Sequence, residues 1–346
     1  MNNDMLVLGI EGTAHTFGVG IADERGRVLA NVRDAYKPAT GGIHPTEAAK
    51  HHGYVADKVL EDALAAAAEC LGCGADDVWS RIDSIAYSAG PGLAPCLRAT
   101  LEFAQRIAKE RGKKLIPVNH CVAHIEIGRK KAGASDPITL YVSGGNTQVI
   151  GYAAGRYRVF GETLDIAIGN AIDTFIREAG GGFPGGPVME RLAEQARKSK
   201  GEGAYIELPY VVKGMDLSFS GIVTAALKRL KEGAPLEDLC FSFQETCYAM
   251  LTEVTERAMA HTGKTECLLT GGVAASRRLQ DMLKTMCDER GARFFVCPAD
   301  VAGDNAAMIA WTGLLARRSG QKLLEPAEAD FNSRWRTDDV CVTWMK

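Results

Sequence analysis

His120 and His124 open the segment HCVAHIEIG with i, i+4 spacing, which on a helix puts both imidazoles on one face, able to share one divalent ion. The pattern is not HExxH. Position 121 is Cys and the nearby acid is Glu126, so no glutamate stands where that class of metalloprotease places its general base. Histidines also satisfy hydrogen bonds at helix starts, and a third ligand decides between the two roles. Asp304, in VAGDNAAM before the last helical stretch, and Tyr141, at the end of an apolar run, are the candidates; the alternative for Asp304 is a helix N-cap.

Three glycine turns add a second kind of chemistry. GIEGTAHTFGVGI places Gly9, Gly12 and Thr13 where a phosphate could approach backbone N–H groups and a hydroxyl, or where an ordinary β-turn lies. YVSGGNTQVIGY repeats the theme with Ser143, Gly144, Gly145, Asn146 and Thr147, and LLTGGVAASRRL sets Gly271 and Gly272 at a strand-to-helix corner of the kind that holds adenosine or phosphate. In GNAIDTFIREAGGGFPGGPVMERLA, Asp173 and Glu190 flank a glycine-rich loop; they could accept from ribose hydroxyls or be plain exposed helix acids. Ser218 and Ser220 in MDLSFSG lack a GxSxG elbow, which argues against a serine hydrolase. His44 fits a helix start, His51 and His52 fit a helix surface, and His15 sits in the first turn.

The elements that position these groups read as alternating strands and helices. MLVLGI, Phe17 to Ala22 and a third run after Asp23 to Gly26 form a meander, and ITLYVS, TQVIGYA and YRVFG form a second one. Between them lie a helix from Thr46 to Glu69, a strand near Ile82 to Tyr87, a helix from Ala94 to Glu110, a strand at Leu115 to Val118 and a helix beginning near Cys121. Helices follow at Ala167 to Glu178, Val188 to Arg197, Ser220 to Lys231 and Leu236 to His261. The ending is βαβα, with helices from Val273 to Glu289 and Ala306 to Ser319. The pattern is a duplicated α/β unit whose two halves face each other across a cleft, without a Pro/Ser-rich linker.

The 346 residues, 46 % hydrophobic and 24 % charged, exclude a disordered chain and a small stapled module. A net charge of -3 excludes strong nucleic-acid binding by electrostatics alone, so any RNA contact is local or shared with partners. Ten scattered cysteines read as reduced thiols, and Cys70 with Cys73, although spaced CxxC, lacks the second pair of a zinc site. No apolar stretch is long enough to span a bilayer, and the start MNNDMLVLGIEGT carries no basic n-region; a cytoplasmic protein is expected.

The motifs GIEGTAHTFGVGI, GGIHPTEAAKHH, GPGLAPCLR, VNHCVAHIEIGR, YVSGGNTQ, GNAIDTF, PGGPVMERLA, MDLSFSG, FSFQE, LLTGGVAASRRL and DNAAMIAW run in this order over nearly the whole length. The chain resembles the universal tRNA N6-adenosine threonylcarbamoyltransferase family, in its archaeal and eukaryotic branch, which works in the KEOPS complex. The resemblance implies the α/β fold of actin, Hsp70 and sugar kinases (ASKHA), with two duplicated domains around a nucleotide cleft. The expected division is 1–130 with a return segment 305–346, and 131–304. The implied reaction passes a threonylcarbamoyl group from threonylcarbamoyl-AMP, made by a separate synthase, to N6 of the adenosine 3′ of the anticodon in tRNAs reading ANN codons, with AMP leaving.

By position, His120, His124 and Asp304 resemble the metal ligands and catalytic group, and Tyr141 an additional ligand; iron is the family's usual metal, and zinc suits the same donors. Tyr141, Val142, Ser143, Gly144 and Gly145 resemble the turn that binds the intermediate, Asp173, Gly186 and Glu190 the adenylate contacts, and Ser276 a further one; ATP or AMP could occupy the same site. Ser276 departs from the family's GGVAAN, and Glu11 stands where many ASKHA kinases carry a phosphate-site Asp. The implied partners are tRNA and the KEOPS subunits: a small atypical protein kinase, which the sequence lacks as a fused domain, a small dimerising subunit and a kinase-associated subunit. An ASKHA small-molecule kinase or ATPase, a metallopeptidase and a non-enzymatic scaffold are the competing readings.

Overall fold

The computed structural model describes residues 5–38 and 42–345; Met1 to Asp4 and the first glycine of GGIHP, Gly41, lie outside the described residues. The chain divides into two compact units, one of Met1–Lys130, Ala153–Tyr157 and Asp304–Lys346, the other of Lys131–Tyr152 and Arg158–Gly303. Asp304, whose backbone already leads into the helix that covers the first sheet, goes with the first unit, and so does the turn at Ala153–Tyr157, which lies inside the expected second domain.

In the first unit the strands β1 (Leu6–Glu11), β2 (Thr16–Asp23), β3 (Val28–Ala35), β4 (Ile82–Gly90) and β5 (Lys114–Asn119) form a sheet of order β3-β2-β1-β4-β5. The meander is antiparallel and β1, β4 and β5 run parallel. Every residue of β1 and β2 is buried, as expected of strands covered on both faces. Leu6, Leu8 and Ile10 join the core built with α1 (Pro45–Leu71), α2 (Ala75–Arg81) and α3 (Ala94–Arg111). With side chains alternating, Val7, Gly9 and Glu11 point the other way, toward α4 (His120–Ala132) and the returning helix α11 (Ala306–Arg318). Gly9 and Gly20 let α11 approach closely: a Cβ on Gly9 would stand 2.3 Å from the Ala310 amide nitrogen, and one on Gly20 2.7 Å from Ala306 and Ala307 backbone atoms. The segment after α11 crosses the strand ends, where Leu115 and Leu324 exchange backbone bonds and the Tyr87 hydroxyl donates to the Asp330 carbonyl.

The second unit repeats the plan. β6 (Ile138–Val142), β7 (Thr147–Ala153), β8 (Arg156–Glu162), β11 (Glu266–Thr270) and β12 (Arg293–Val296) have the order β12-β11-β6-β7-β8, which is the first sheet's order element for element, with the parallel strand again beside the first of the meander. α5 (Ile168–Glu178) buries Ile168, Ala171, Ile172, Phe175 and Ile176, a helical stripe, and Phe175 stacks on Phe243 with centroids 5.3 Å apart. Phe243 belongs to α8 (Leu236–Thr262), which packs with α6 (Gly185–Lys200), α7 (Ser220–Lys231) and α9 (Arg277–Glu289). A two-residue hairpin, β9 (Val212–Lys213) with β10 (Asp216–Leu217), and the single turn α10 (Ala299–Ala302) are too short for the periodicity of the sequence to mark. The stretch read as one helix from Val273 is a 3-10 turn, Gly272–Ala275, before α9.

Candidate functional site

β5 ends in Asn119, whose Oδ1 accepts from the amides of Cys121 (3.0 Å) and Val122 (3.1 Å), so Asn119 caps α4 and starts the helix at His120. Asn305 does the same for α11, its side chain accepting from the Met308 amide at 3.0 Å. The N-cap role open to Asp304 thus falls to its neighbour, and the Asp304 carboxylate is left to face the histidines. Its Oδ1 lies 3.2 Å from His124 Nε2 and 3.5 Å from His120 Nε2, and the Asp304 carbonyl is pinned by Arg33 Nη1 at 3.1 Å. One ligand atom from each of the three residues falls within 4.8 Å of the others.

The electrostatics suit a cation. Burial alone would raise the Asp304 carboxyl, but the two imidazoles outweigh it and hold it well below the usual carboxylate value, so the group is an anion. Burial, opposed by Asp304 and aided by His120, holds His124 below the usual imidazole value, which favours the neutral ring that a metal ligand requires. For His120 burial acts downward too, but Glu11 and Asp304 together leave it well above the usual imidazole value; a bound cation would take the place of its proton. Glu11, fully buried at the end of β1, has Oε2 3.1 Å from His120 Nδ1. Sequence reasoning noted Glu11 only as a departure from kinases; the signal for its contact was an acid closing a strand whose outward set otherwise reads Val7 and Gly9.

The first glycine turn corrects an expectation. The Gly12 amide donates to Ser88 Oγ (3.1 Å) and the Thr13 amide to Glu11 Oε1 (2.8 Å), so neither is free for a phosphate. A Cβ on Gly12 would lie 2.1 Å from Thr100 Oγ1: this glycine serves packing against α3.

The family whose sequence model matches, over residues 27–311, is described as "TsaD: tRNA N6-adenosine threonylcarbamoyltransferase". The chain belongs to this threonylcarbamoyltransferase family. A tRNA N6-adenosine threonylcarbamoyltransferase of Thermococcus kodakarensis is 54 % identical over 341 residues, covering 98 % of this chain and 100 % of the relative. A probable bifunctional tRNA threonylcarbamoyladenosine biosynthesis protein of Methanothermobacter thermautotrophicus is 52 % identical over 99 % of this chain, which spans 61 % of that protein's length. Among solved structures, HypF of T. kodakarensis superposes with a TM-score of 0.56 at 16 % identity, covering 91 % of this chain and 48 % of that one. Component A of (R)-2-hydroxyglutaryl-CoA dehydratase from Acidaminococcus fermentans does so with a TM-score of 0.52 at 12 % identity, covering 90 % and 98 %. These likenesses are of fold: this threonylcarbamoyltransferase family member has an ASKHA-type α/β fold.

In the family member's second unit, three glycine-bearing segments converge at the ends of β6 and β11. Ser143 Oγ accepts from the amides of Gly145 (3.3 Å) and Asn146 (3.0 Å), shaping the turn after β6, and Gly144 and Gly145 have open space where a Cβ would stand. The Gly169 amide donates to the Ser143 carbonyl at 3.1 Å, and Gly169 lacks room for a Cβ there. Gly271, with φ +95°, passes so close to the Val142 carbonyl that a Cβ would lie 2.2 Å from it. Tyr141 is fully buried on β6, opposite Gln148 and Thr270.

Asp173 and Glu190 are not plain exposed acids. Asp173 Oδ1 accepts from the Gly185 amide at 2.7 Å, closing the glycine loop onto α5, and burial raises this carboxyl. Glu190 Oε1 accepts from the Arg277 amide at 3.0 Å, joining α6 to the start of α9. Gly186 leaves open space, and Ser276 is buried at the N-cap of α9 without capping it through its side chain. Ser220 Oγ donates to Asp165 Oδ2 at 2.5 Å, with the Ser220 and Phe219 amides on the same carboxylate, so this serine belongs to a helix start. His52 is a second correction: it is buried beside Phe17, whereas its neighbour His51 reaches Asp34 at 3.0 Å.

Proposed function

We propose that the protein transfers the threonylcarbamoyl group of threonylcarbamoyl-AMP to N6 of the adenosine 3′ of the anticodon in tRNAs that read ANN codons. The observation that carries this reading is the buried His120, His124 and Asp304 cluster in a chain of this family. In the reaction N6 attacks the carbamoyl carbon, the bond from that carbon to the phosphate oxygen breaks with its electrons going to AMP, and N6 gives up one proton. A divalent cation held by the two Nε2 atoms and the Asp304 carboxylate would polarise the carbamoyl oxygen as a Lewis acid. Fe²⁺ is favoured for it, Zn²⁺ meets the same donor set, and Tyr141 is assigned as an additional ligand.

Residues of the second unit hold the adenylate in this reading. Gly144, Gly145 and Gly186 leave backbone open to approach, and Val142 and Ser143 fix the turn that presents it. Asp173 Oδ2 and Glu190 Oε2, the oxygens not engaged by the Gly185 and Arg277 amides, accept from ribose hydroxyls, and Ser276 offers one hydroxyl. ATP or AMP fits the same contacts. Holding the donor fixed while the RNA amine attacks makes orientation and charge stabilisation, rather than a protein nucleophile, the source of rate.

A net charge of -3 supports sharing the tRNA-binding surface with partners, assigned as the KEOPS kinase, dimerising and kinase-associated subunits, with a threonylcarbamoyl-AMP synthase upstream. Ten cysteines outside any disulfide suit a reducing cytoplasm, and among the described residues no helix is long and apolar enough to cross a membrane. The test is transfer of radiolabelled threonine to the matching tRNA, with synthase, bicarbonate, ATP and partner subunits, by wild type and His120→Ala. Label with wild type and none with the variant supports the reading. No label from a fully assembled, metal-loaded wild-type complex returns the ASKHA kinase reading.

A further inference from the structure

The Glu11 carboxylate meets three donors at the closed end of β1. Oε1 accepts from the Thr13 amide at 2.8 Å and from the Thr13 hydroxyl at 2.5 Å, and Oε2 lies 3.1 Å from His120 Nδ1. Thr13 Oγ1 is itself 3.2 Å from that same Nδ1. The hydroxyl proton is spent on Glu11, so toward His120 the Thr13 oxygen can only accept; an ionised carboxylate likewise only accepts. Two acceptors converging on Nδ1 require Nδ1 to carry a proton. With Nδ1 keeping its proton, Nε2, the nitrogen that faces Asp304, is the position where a cation would take a proton's place.

We propose that Glu11, with Thr13, is a positioning residue for the cation site: it fixes the His120 tautomer and ring angle so that Nε2 presents its lone pair beside His124 and Asp304. The inference rests on the reading of those three residues as metal ligands. The arrangement is carboxylate, then histidine, then metal, in which the outer carboxylate both orients the ring and raises its basicity. Its rigidity comes from the fold: Glu11 sits on a fully covered strand, the Thr13 amide leaves the carboxylate little freedom, and Asn119 fixes the helix start that carries His120. A glutamine at position 11 keeps the shape but offers one acceptor where two are used, so either the Thr13 donors lose their acceptor or Nδ1–H loses one of its two. An aspartate falls short of His120 by one methylene, about 1.5 Å.

The test uses the full chain stripped of metal and titrated with Co²⁺, whose visible absorption reports imidazole and carboxylate coordination, with Zn²⁺ as competitor. Glu11→Gln is expected to weaken Co²⁺ binding about 10- to 100-fold, and Thr13→Val by a few-fold, while Glu11→Asp does not restore the wild-type value. His120 is followed in parallel by its ring nitrogen resonances, which in Zn²⁺-loaded wild-type protein report a retained Nδ1–H and in Zn²⁺-loaded Glu11→Gln its weakening or loss. Urea midpoints identify a variant that fails to fold, in which case Thr13→Val carries the test. If wild type and His124→Ala bind Co²⁺ equally, the metal reading falls and this inference with it. If they differ but Glu11→Gln and Thr13→Val bind as wild type does, the positioning role alone is overturned.

Discussion

Replacing Gly9 by alanine tests whether the close approach of α11 to β1 holds the first unit together. The added methyl would stand 2.3 Å from the Ala310 nitrogen, 2.6 Å from the Ala306 carbonyl oxygen and 2.8 Å from the Ala310 Cα. All three are backbone atoms, so no side chain can swing aside. Reaching ordinary contact at 3.4 Å requires α11 to lift by about 1 Å (3.4 minus 2.3) from a fully buried strand. Overpacking of a dense core costs about 1–3 kcal/mol, and with rigid partners on both sides the upper end, about 3 kcal/mol, is expected. The assay is urea unfolding followed by tryptophan fluorescence, because Trp79, Trp311, Trp335 and Trp344 all belong to the first unit and report on it alone. Asp304 lies two residues before α11, so Co²⁺ affinity is expected to fall with stability. Gly144→Ala, where the Cβ meets open space, is the control: its unfolding is unchanged, and nucleotide binding weakens. A Gly9→Ala midpoint within about 0.5 kcal/mol of wild type would refute the packing argument.

His52 gives the stability curve a pH slope. Burial, aided by His51 and opposed by Glu11, lowers it from 6.5 to about 4, so between those values the unfolded chain takes up a proton that the folded one refuses. Its stabilising contribution is full above pH 6.5 and declines as pH falls toward 4, by about 3 kcal/mol at the limit, and His52→Phe should flatten that decline in urea melts from pH 4 to 7. Ser220→Ala should retain threonylcarbamoyl transfer within about twofold and lose only a helix-start hydrogen bond, about 1 kcal/mol; loss of turnover would revive a nucleophilic serine. Phe175→Ala, deleting a ring fully buried against Phe243, should destabilise the second unit by about 3–5 kcal/mol, read by circular dichroism, without moving the tryptophan transition.

The alternation of strands and helices was legible because its periods are long: α5, α8 and α11 have whole faces to bury, and the paired meanders announced the duplication. The hairpin at Val212–Leu217 was not, since two-residue strands have no period. At the site, types and spacing marked His120, His124 and Asp304, but local pattern cannot tell a ligand from a cap, and it took the Asn305 side chain on the Met308 amide to free Asp304 for the histidines. The first glycine turn misled for a related reason. Glycine serves close approach of any kind, and at Gly9 and Gly12 the approaching atoms are α11 and Thr100 rather than a ligand. The role of Glu11 depends on a partner 109 positions away, which no local window contains.

The returning helix also sets an order of events on the ribosome. All five strands of the first sheet have been made once Asn119 is added, yet α11 begins only at Ala306. At translation rates of 5–20 residues per second, the face bearing Val7, Gly9 and Gly20 waits roughly ten to forty seconds for its cover. The nascent chain therefore carries the first sheet without α11 on that side while residues 133–303 are synthesised. A chaperone that binds flat, glycine-smoothed apolar surface has its window there, and Asp304 reaches the histidines only as that window closes.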